Sequence, residues 1–177
     1  MKYVVGARGS KLSMAQTNWV ISELKKVNSD CEYEIKPITT KGDTDTRPLF
    51  TIEQKGIFEK EIDKAVAAKE IDFAVHSLKD VPSELADNLI IASIPKREKV
   101  NDVFISSDDS SLDKIKPGSV IGTSSLRRAV QISRQRSDVT VKPIRGNIET
   151  RINKTSGENY DAIVLAEAGL DALGIKR

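Results

Sequence analysis

Three short apolar runs in this chain each break off into a loop of hydroxyls, glycine and charge, and few folds accommodate that arrangement. Residues 73–82 read F-A-V-H-S-L-K-D-V-P: the apolar run closes at Val75, His76, Ser77, Lys79 and Asp80 follow at once, and Pro82 stops an easy continuation. Residues 121–128 read I-G-T-S-S-L-R-R and residues 143–151 read P-I-R-G-N-I-E-T-R, two passages from strand to helix. Each reads as a buried strand delivering polar groups to a sheet edge. Open α/β sheets place ligands outside the carboxyl ends of their strands, so three such loops predict one shared site.

The segments between them fit the same pattern. A strand over 2–7 leads to a helix over 13–27, whose Val20, Leu24 and Val27 repeat at helical spacing as a buried face. A second strand follows at 33–38, then a polar loop over 40–54, long enough to suggest function or mobility. A helix over 57–68 buries Phe58, Ile62 and Ala65 or Val66 and leads to the strand ending at Val75. A further strand is expected at 89–94, and the charged, helix-poor stretch 95–101 reads as a crossover. Beyond it, strands near 102–106, 119–121, 139–141 and 162–165 alternate with helices at 124–136, 147–154 and from Ala166. The expected architecture is two α/β lobes, 1–96 and 97–177, each a mixed sheet flanked by helices and joined by a hinge, a layout that favours binding in a cleft.

Composition narrows the chemistry. With 38% hydrophobic residues in 177, the chain can bury a core without staples, and its single Cys31 cannot form an intrachain bridge. One histidine and one cysteine leave too few N and S ligands for an ordinary zinc site, so no metal is expected. A net charge of +2, with both signs interspersed, gives no global field for nucleic acid, and 5% aromatic residues offer no base-stacking pattern. The apolar stretch at the amino terminus is too brief for a leader or a membrane span, so a cytoplasmic protein without membrane contact is expected.

Any anion preference must then be local. A guanidinium grips a carboxylate with paired hydrogen bonds and keeps its charge at any working pH, which makes Arg8, Arg127, Arg128, Arg145 and Arg151 a carboxylate-binding set. Thr123, Ser124 and Ser125 open a helix whose free N–H groups also attract anions. The plain alternative puts Arg127 and Arg128 on a solvated helix face with Arg134 and Arg136. Lys79 and Asp80 could likewise be solvated loop residues, and His76 serves as readily as a structural hydrogen-bonder as a catalyst.

The combination H-S-L-K-D-V-P, G-T-S-S-L-R-R and R-G-N, with A-R-G-S-K-L-S-M-A-Q at 7–16, K-G-I-F-E-K-E-I at 55–62 and Y-D-A-I-V-L-A-E-A-G-L at 160–170, closely resembles the porphobilinogen deaminase (hydroxymethylbilane synthase) family. The resemblance implies two lobes like those of type II periplasmic binding proteins. It also implies a transferase of tetrapyrrole and heme biosynthesis that condenses four porphobilinogens head to tail, with loss of ammonia through an azafulvene cation, and hydrolyses the chain to hydroxymethylbilane. Asp80 matches the catalytic aspartate, and Ser77 and Lys79 match positions that contact the pyrroles. Arg8, Ser10 and Gln16 fall where the family has substrate-proximal groups. Lys55 and Phe58 match a lid and an aromatic beside the pyrrole chain. Gly146 belongs to the R-G-N segment. Thr51 stands where many members have a lysine, so that anion-binding role is not carried over.

The family grows its product on a dipyrromethane cofactor thioether-linked to a cysteine of a third, carboxyl-terminal domain. No residue here matches that cysteine, and Cys31 lies in an unrelated context, so the chain is expected to be a partial form. Pyrrole substrate and polypyrrole intermediates are the implied partners, and a monomer is expected. The rival reading is a two-lobed binding module that captures a small polycarboxylate without catalysis. An aspartate in K-D-V-P argues against it, since a buried carboxylate opposes anion capture.

Overall fold

A computed structural model describes residues 1–44, 57–157 and 159–176. These residues form two compact units, one from 1–44 and 57–97, the other from 98 onward.

In the first unit, β1 (Lys2–Arg8) lies between β2 (Glu32–Ile38) and β3 (Phe73–Ala74), parallel to both. Helix α1 (Lys11–Val27) begins at the Ser10 cap, whose hydroxyl accepts from the Ser13 N–H at 3.2 Å. Its buried residues are Thr17 and Ile21, whereas Val27, expected inside, is 77% exposed. Thr17 can be buried because its hydroxyl donates to the Ser13 carbonyl one turn back, a satisfaction that an apolar pattern does not register. A short helix, α2 (Lys41–Thr44), follows β2, and α3 (Lys60–Ala67) buries Ile62 and Ala65 with Ile71. Gly6 allows this approach, since a Cβ there would lie 2.2 Å from Ile71 Cδ1.

The strand expected at 89–94 does not form; residues 89–100 have no regular structure, and Ile90 and Ile94 are 84% and 66% exposed. Alternating apolar residues satisfy the strand pattern, but a strand exists only by pairing, and none of the described strands pairs with this segment.

The second unit is a four-stranded sheet in the order β4 (Asp102–Ser106), β7 (Ala162–Ala166), β5 (Val120–Gly122), β6 (Thr140–Lys142). β4 runs antiparallel to β7, and the other pairs are parallel. Helix α4 (Leu126–Gln135) connects β5 to β6, α5 (Ile148–Asn153) lies between β6 and β7, and α6 (Glu167–Ala172) follows β7. Ile105, Ile144, Ile163, Leu165 and Leu170 form one core cluster, and Ile115, Ile121, Ile132 and Ala162 form another. The chain is thus α/β, with two sheets flanked by helices.

Ile163 is fully buried in the first of these clusters, so Ile163→Ala should cost about 2–5 kcal/mol in urea unfolding. A loss below about 1 kcal/mol would show that this core is not close-packed.

Candidate functional site

Parallel pairing sends the ends of β1, β2 and β3 to one edge of the first sheet, and about half of the residues singled out from the sequence belong to the elements and loops of this unit. Arg8 closes β1. Its Nε donates to Asp43 Oδ1 at 3.1 Å, its Nη2 donates closely to the same oxygen, and the guanidinium carbon lies 4.3 Å from the centroid of the Phe58 ring. Asp43 Oδ2 accepts from the Thr40 N–H at 3.0 Å and the Thr40 hydroxyl at 2.8 Å. Burial would raise the Asp43 pKa, but the hydrogen bonds from Arg8 and Thr40, with the Arg8 charge, hold it below the ordinary carboxylate value. Phe58 also fills the space beside Gly42, where a Cβ would meet its ring at 2.2 Å.

The loop after β3 is fastened to α1 by the Ser77 hydroxyl, which donates to Gln16 Oε1 at 2.9 Å. A 3-10 turn, Leu78–Asp80, then presents Lys79 to solvent and leaves Asp80 half-buried. The Asp80 carboxylate has no hydrogen bond or ion pair among the described residues, although its backbone N–H donates to the Ser77 carbonyl. His76 is 17% exposed, with Nε2 lying 3.7 Å from Asp63 Oδ1 and making no hydrogen bond. Burial pushes its pKa down, against the pull of Asp63 and Asp80. Burial likewise raises the carboxyls of Glu59 and Asp63. Lys55 and Thr51 lie outside the described residues.

In the second unit the carboxyl ends of β5 and β6 carry the other two loops. Of the three hydroxyls, Thr123 is buried and accepts from the Ser125 N–H, while Ser124 donates to the Ile144 carbonyl at 2.6 Å and accepts from the Ile144 N–H at 3.1 Å, joining the two loops. Ser125 caps α4 by accepting from the Arg128 N–H. Arg127 is exposed, with no hydrogen bond or ion pair among the described residues. Arg128 differs from it: Nε donates to Asp102 Oδ2 at 2.8 Å and Nη1 to the Val164 carbonyl at 3.4 Å, so the side chain clamps α4 to the sheet. Arg151 Nε donates to the Gly146 carbonyl at 2.6 Å, and Lys154 holds the Arg145 carbonyl. Gly146 has φ +116° and sits against Thr150, a conformation and a space that both demand glycine.

Sequence reasoning missed Asp43, Thr40, Asp102 and Lys154. The T-x-x-D spacing of Thr40 and Asp43 is a legible capping pattern, but nothing in the sequence links Asp43 to an arginine 35 residues away. Cys31 immediately precedes β2, at the amino-terminal edge of the sheet. With seven residues in β2 at about 3.3 Å each, it is about 20 Å from the edge that carries Arg8.

Among the described residues, the first α/β unit thus carries the Asp80 carboxylate without a partner in the loop after β3, and the second carries hydroxyls, the N-terminus of α4 and the Arg127 guanidinium without a partner at the ends of its strands. Residues 3–177 match the family described as "Porphobilinogen deaminase, dipyromethane cofactor binding domain", and the chain belongs to the porphobilinogen deaminase family. It is 81% identical over 175 residues to "Probable porphobilinogen deaminase" of Nitrosopumilus maritimus, covering 99% of this chain and 56% of that protein. It is 52% identical over 174 residues to the porphobilinogen deaminase of Listeria monocytogenes, covering 98% and 56%. The chain therefore spans about half the length of the curated relatives it matches.

Two measurements check this geometry. Gly146→Ala should lose about 1–3 kcal/mol of stability from strain at positive φ; no loss would mean that the loop readily adopts another path. Because His76 is held below its ordinary value, the unfolded chain takes up that proton first as pH falls through about 6.5, so stability is lost below that point. His76→Gln should flatten this slope in urea unfolding between about pH 7 and pH 5; an unchanged slope would assign it to another group.

Proposed function

We propose that this chain, within its full-length protein, carries out the porphobilinogen deaminase reaction as a transferase. In each condensation the aminomethyl C–N bond of porphobilinogen breaks and ammonia leaves. The methylene carbon joins the free α-carbon of a neighbouring pyrrole, which gives up its proton. The observation that carries this reading is Asp80, a half-buried carboxylate without a partner among the described residues, set in a turn fastened by the Ser77–Gln16 hydrogen bond. Held there, a carboxylate accepts hydrogen bonds from pyrrole N–H groups and stabilises the cation that forms as ammonia departs.

The dipyrromethane cofactor bears carboxylates, and the residues suited to them are Arg127, the α4 terminus behind Ser125, and Arg145 and Arg151 around Gly146. Arg8, Ser10, Lys79 and Phe58 serve the pyrroles at the first sheet's edge. Thr123 and Ser124 act by holding their loop, and Arg128 acts by fixing α4. When bound, the cofactor supplies the terminal pyrrole on which the product is built. Its thioether has no fitting residue here, since Cys31 lies at the opposite edge of its sheet. The attachment therefore belongs to sequence outside this chain.

No helix among the described residues is long and apolar enough to cross a membrane. A monomer acting in the cytoplasm on small pyrroles, without nucleic acid, is the setting proposed.

Asp80→Asn keeps the shape but deletes the charge, and should lower kcat in the full-length protein by about a hundredfold or more. Near-normal ammonia release by that variant would refute the role. Arg127→Lys keeps charge but loses the paired geometry and should raise KM for porphobilinogen about tenfold. An unchanged KM would remove Arg127 from the binding surface.

A further inference from the structure

We propose that Asp43 is a positioning residue: it holds the Arg8 guanidinium in the orientation that grips a ligand carboxylate. The inference rests on the reading that Arg8 serves the pyrrole carboxylates. A solitary arginine at a sheet edge samples many rotamers and would have to be ordered each time a ligand bound. Arg8 is already ordered. Asp43 takes Nε and Nη2 side-on, and Phe58 covers one face at 4.3 Å. Nη1 makes no hydrogen bond among the described residues, which leaves the outer edge of the fork for a second carboxylate.

Asp43 is itself fixed. Its other oxygen is held by both donors of Thr40, a residue 1% exposed, and the neighbouring Gly42 N–H donates to the Ile57 carbonyl at 2.7 Å. The chain is thus triangulated from buried Thr40 through Asp43 to Arg8, with Phe58 as backing. The pair is only about a quarter exposed, at 23% and 24%, so it holds its geometry better than a solvated pair would. Because Asp43 offsets much of the Arg8 charge, what the pair offers a ligand is direction more than net charge.

The test is a double-mutant cycle in the full-length protein, reading kcat and KM for porphobilinogen consumption. Asp43→Ala should lower kcat/KM about tenfold, mainly through KM, as expected when a binding group is misplaced. Arg8→Ala should lower it at least as much, and the double variant should match Arg8→Ala alone, because Asp43 acts through Arg8. Additive losses would give Asp43 a role independent of Arg8 and overturn the proposal, and so would unchanged or improved kcat/KM in Asp43→Ala.

Should Asp43→Ala fail to fold, Asp43→Asn keeps the shape and takes its place in the cycle. The Arg8 Nε–H resonance in nitrogen-edited NMR is then read as well. It should be protected from exchange in the unmodified protein and lose that protection in the variant; protection that survives overturns the proposal. Failure of the unmodified protein to consume porphobilinogen would sink the functional reading together with this one. An active parent with an indifferent Asp43→Ala sinks only this one.

Discussion

The parallel register of β1 with β2 and β3, and of β5 with β6 and β7, brings three strand ends to one edge in each unit. A loop leaving such an edge must find partners for backbone groups that the ladder no longer serves. Side chains of the same loops meet that demand. Ser10, Ser125 and Asn147 cap helices, Ser124 binds both backbone groups of Ile144, and Arg151 and Lys154 take the carbonyls of Gly146 and Arg145. The polar residues that make these loops look functional are therefore in part the means by which the loops hold their shape. Among the described residues, what that accounting leaves without a partner includes the Asp80 carboxylate, the Arg127 guanidinium and the outer edge of Arg8.

The arginines show the division. Arg128 and Arg136 are spent on internal carboxylates and carbonyls, Asp102 with Val164 and Asp138 with Leu112 and Ile115. Arg8 is half-spent, and Arg127 is not spent among the described residues. Adjacent residues on one helix thus stand in opposite surroundings. The difference follows from helical geometry, since a step of about 100° between neighbours turns Arg128 toward the sheet and Arg127 away from it.

How much could be read from the sequence follows the range of the interactions involved. The strand-to-loop junctions, the hydroxyls that open α4 and the alternation of the second unit are local patterns, and their elements appear within a residue or two of expectation. The position of Asp80 in a loop after a strand was legible for the same reason, but that strand, expected to be buried, is the two-residue, half-buried β3. The strand at 89–94 was misread because strand formation depends on a partner far away in sequence. The buried face of α1 was misread because Thr17 hides its hydroxyl within its own helix. Asp43 was missed because its meaning lies in Arg8, 35 residues earlier, and Asp102 because its meaning lies in Arg128, 26 residues later.

The central claim is that the carboxyl edge of the β2-β1-β3 sheet, at Asp80, receives the pyrrole nitrogens. A crystal structure of the full-length protein carrying its pyrrole chain tests it most directly. The account predicts an Asp80 carboxylate oxygen within hydrogen-bonding distance, about 2.7–3.2 Å, of at least one pyrrole nitrogen. A pyrrole chain seated away from that edge, with Asp80 facing only solvent, would contradict it.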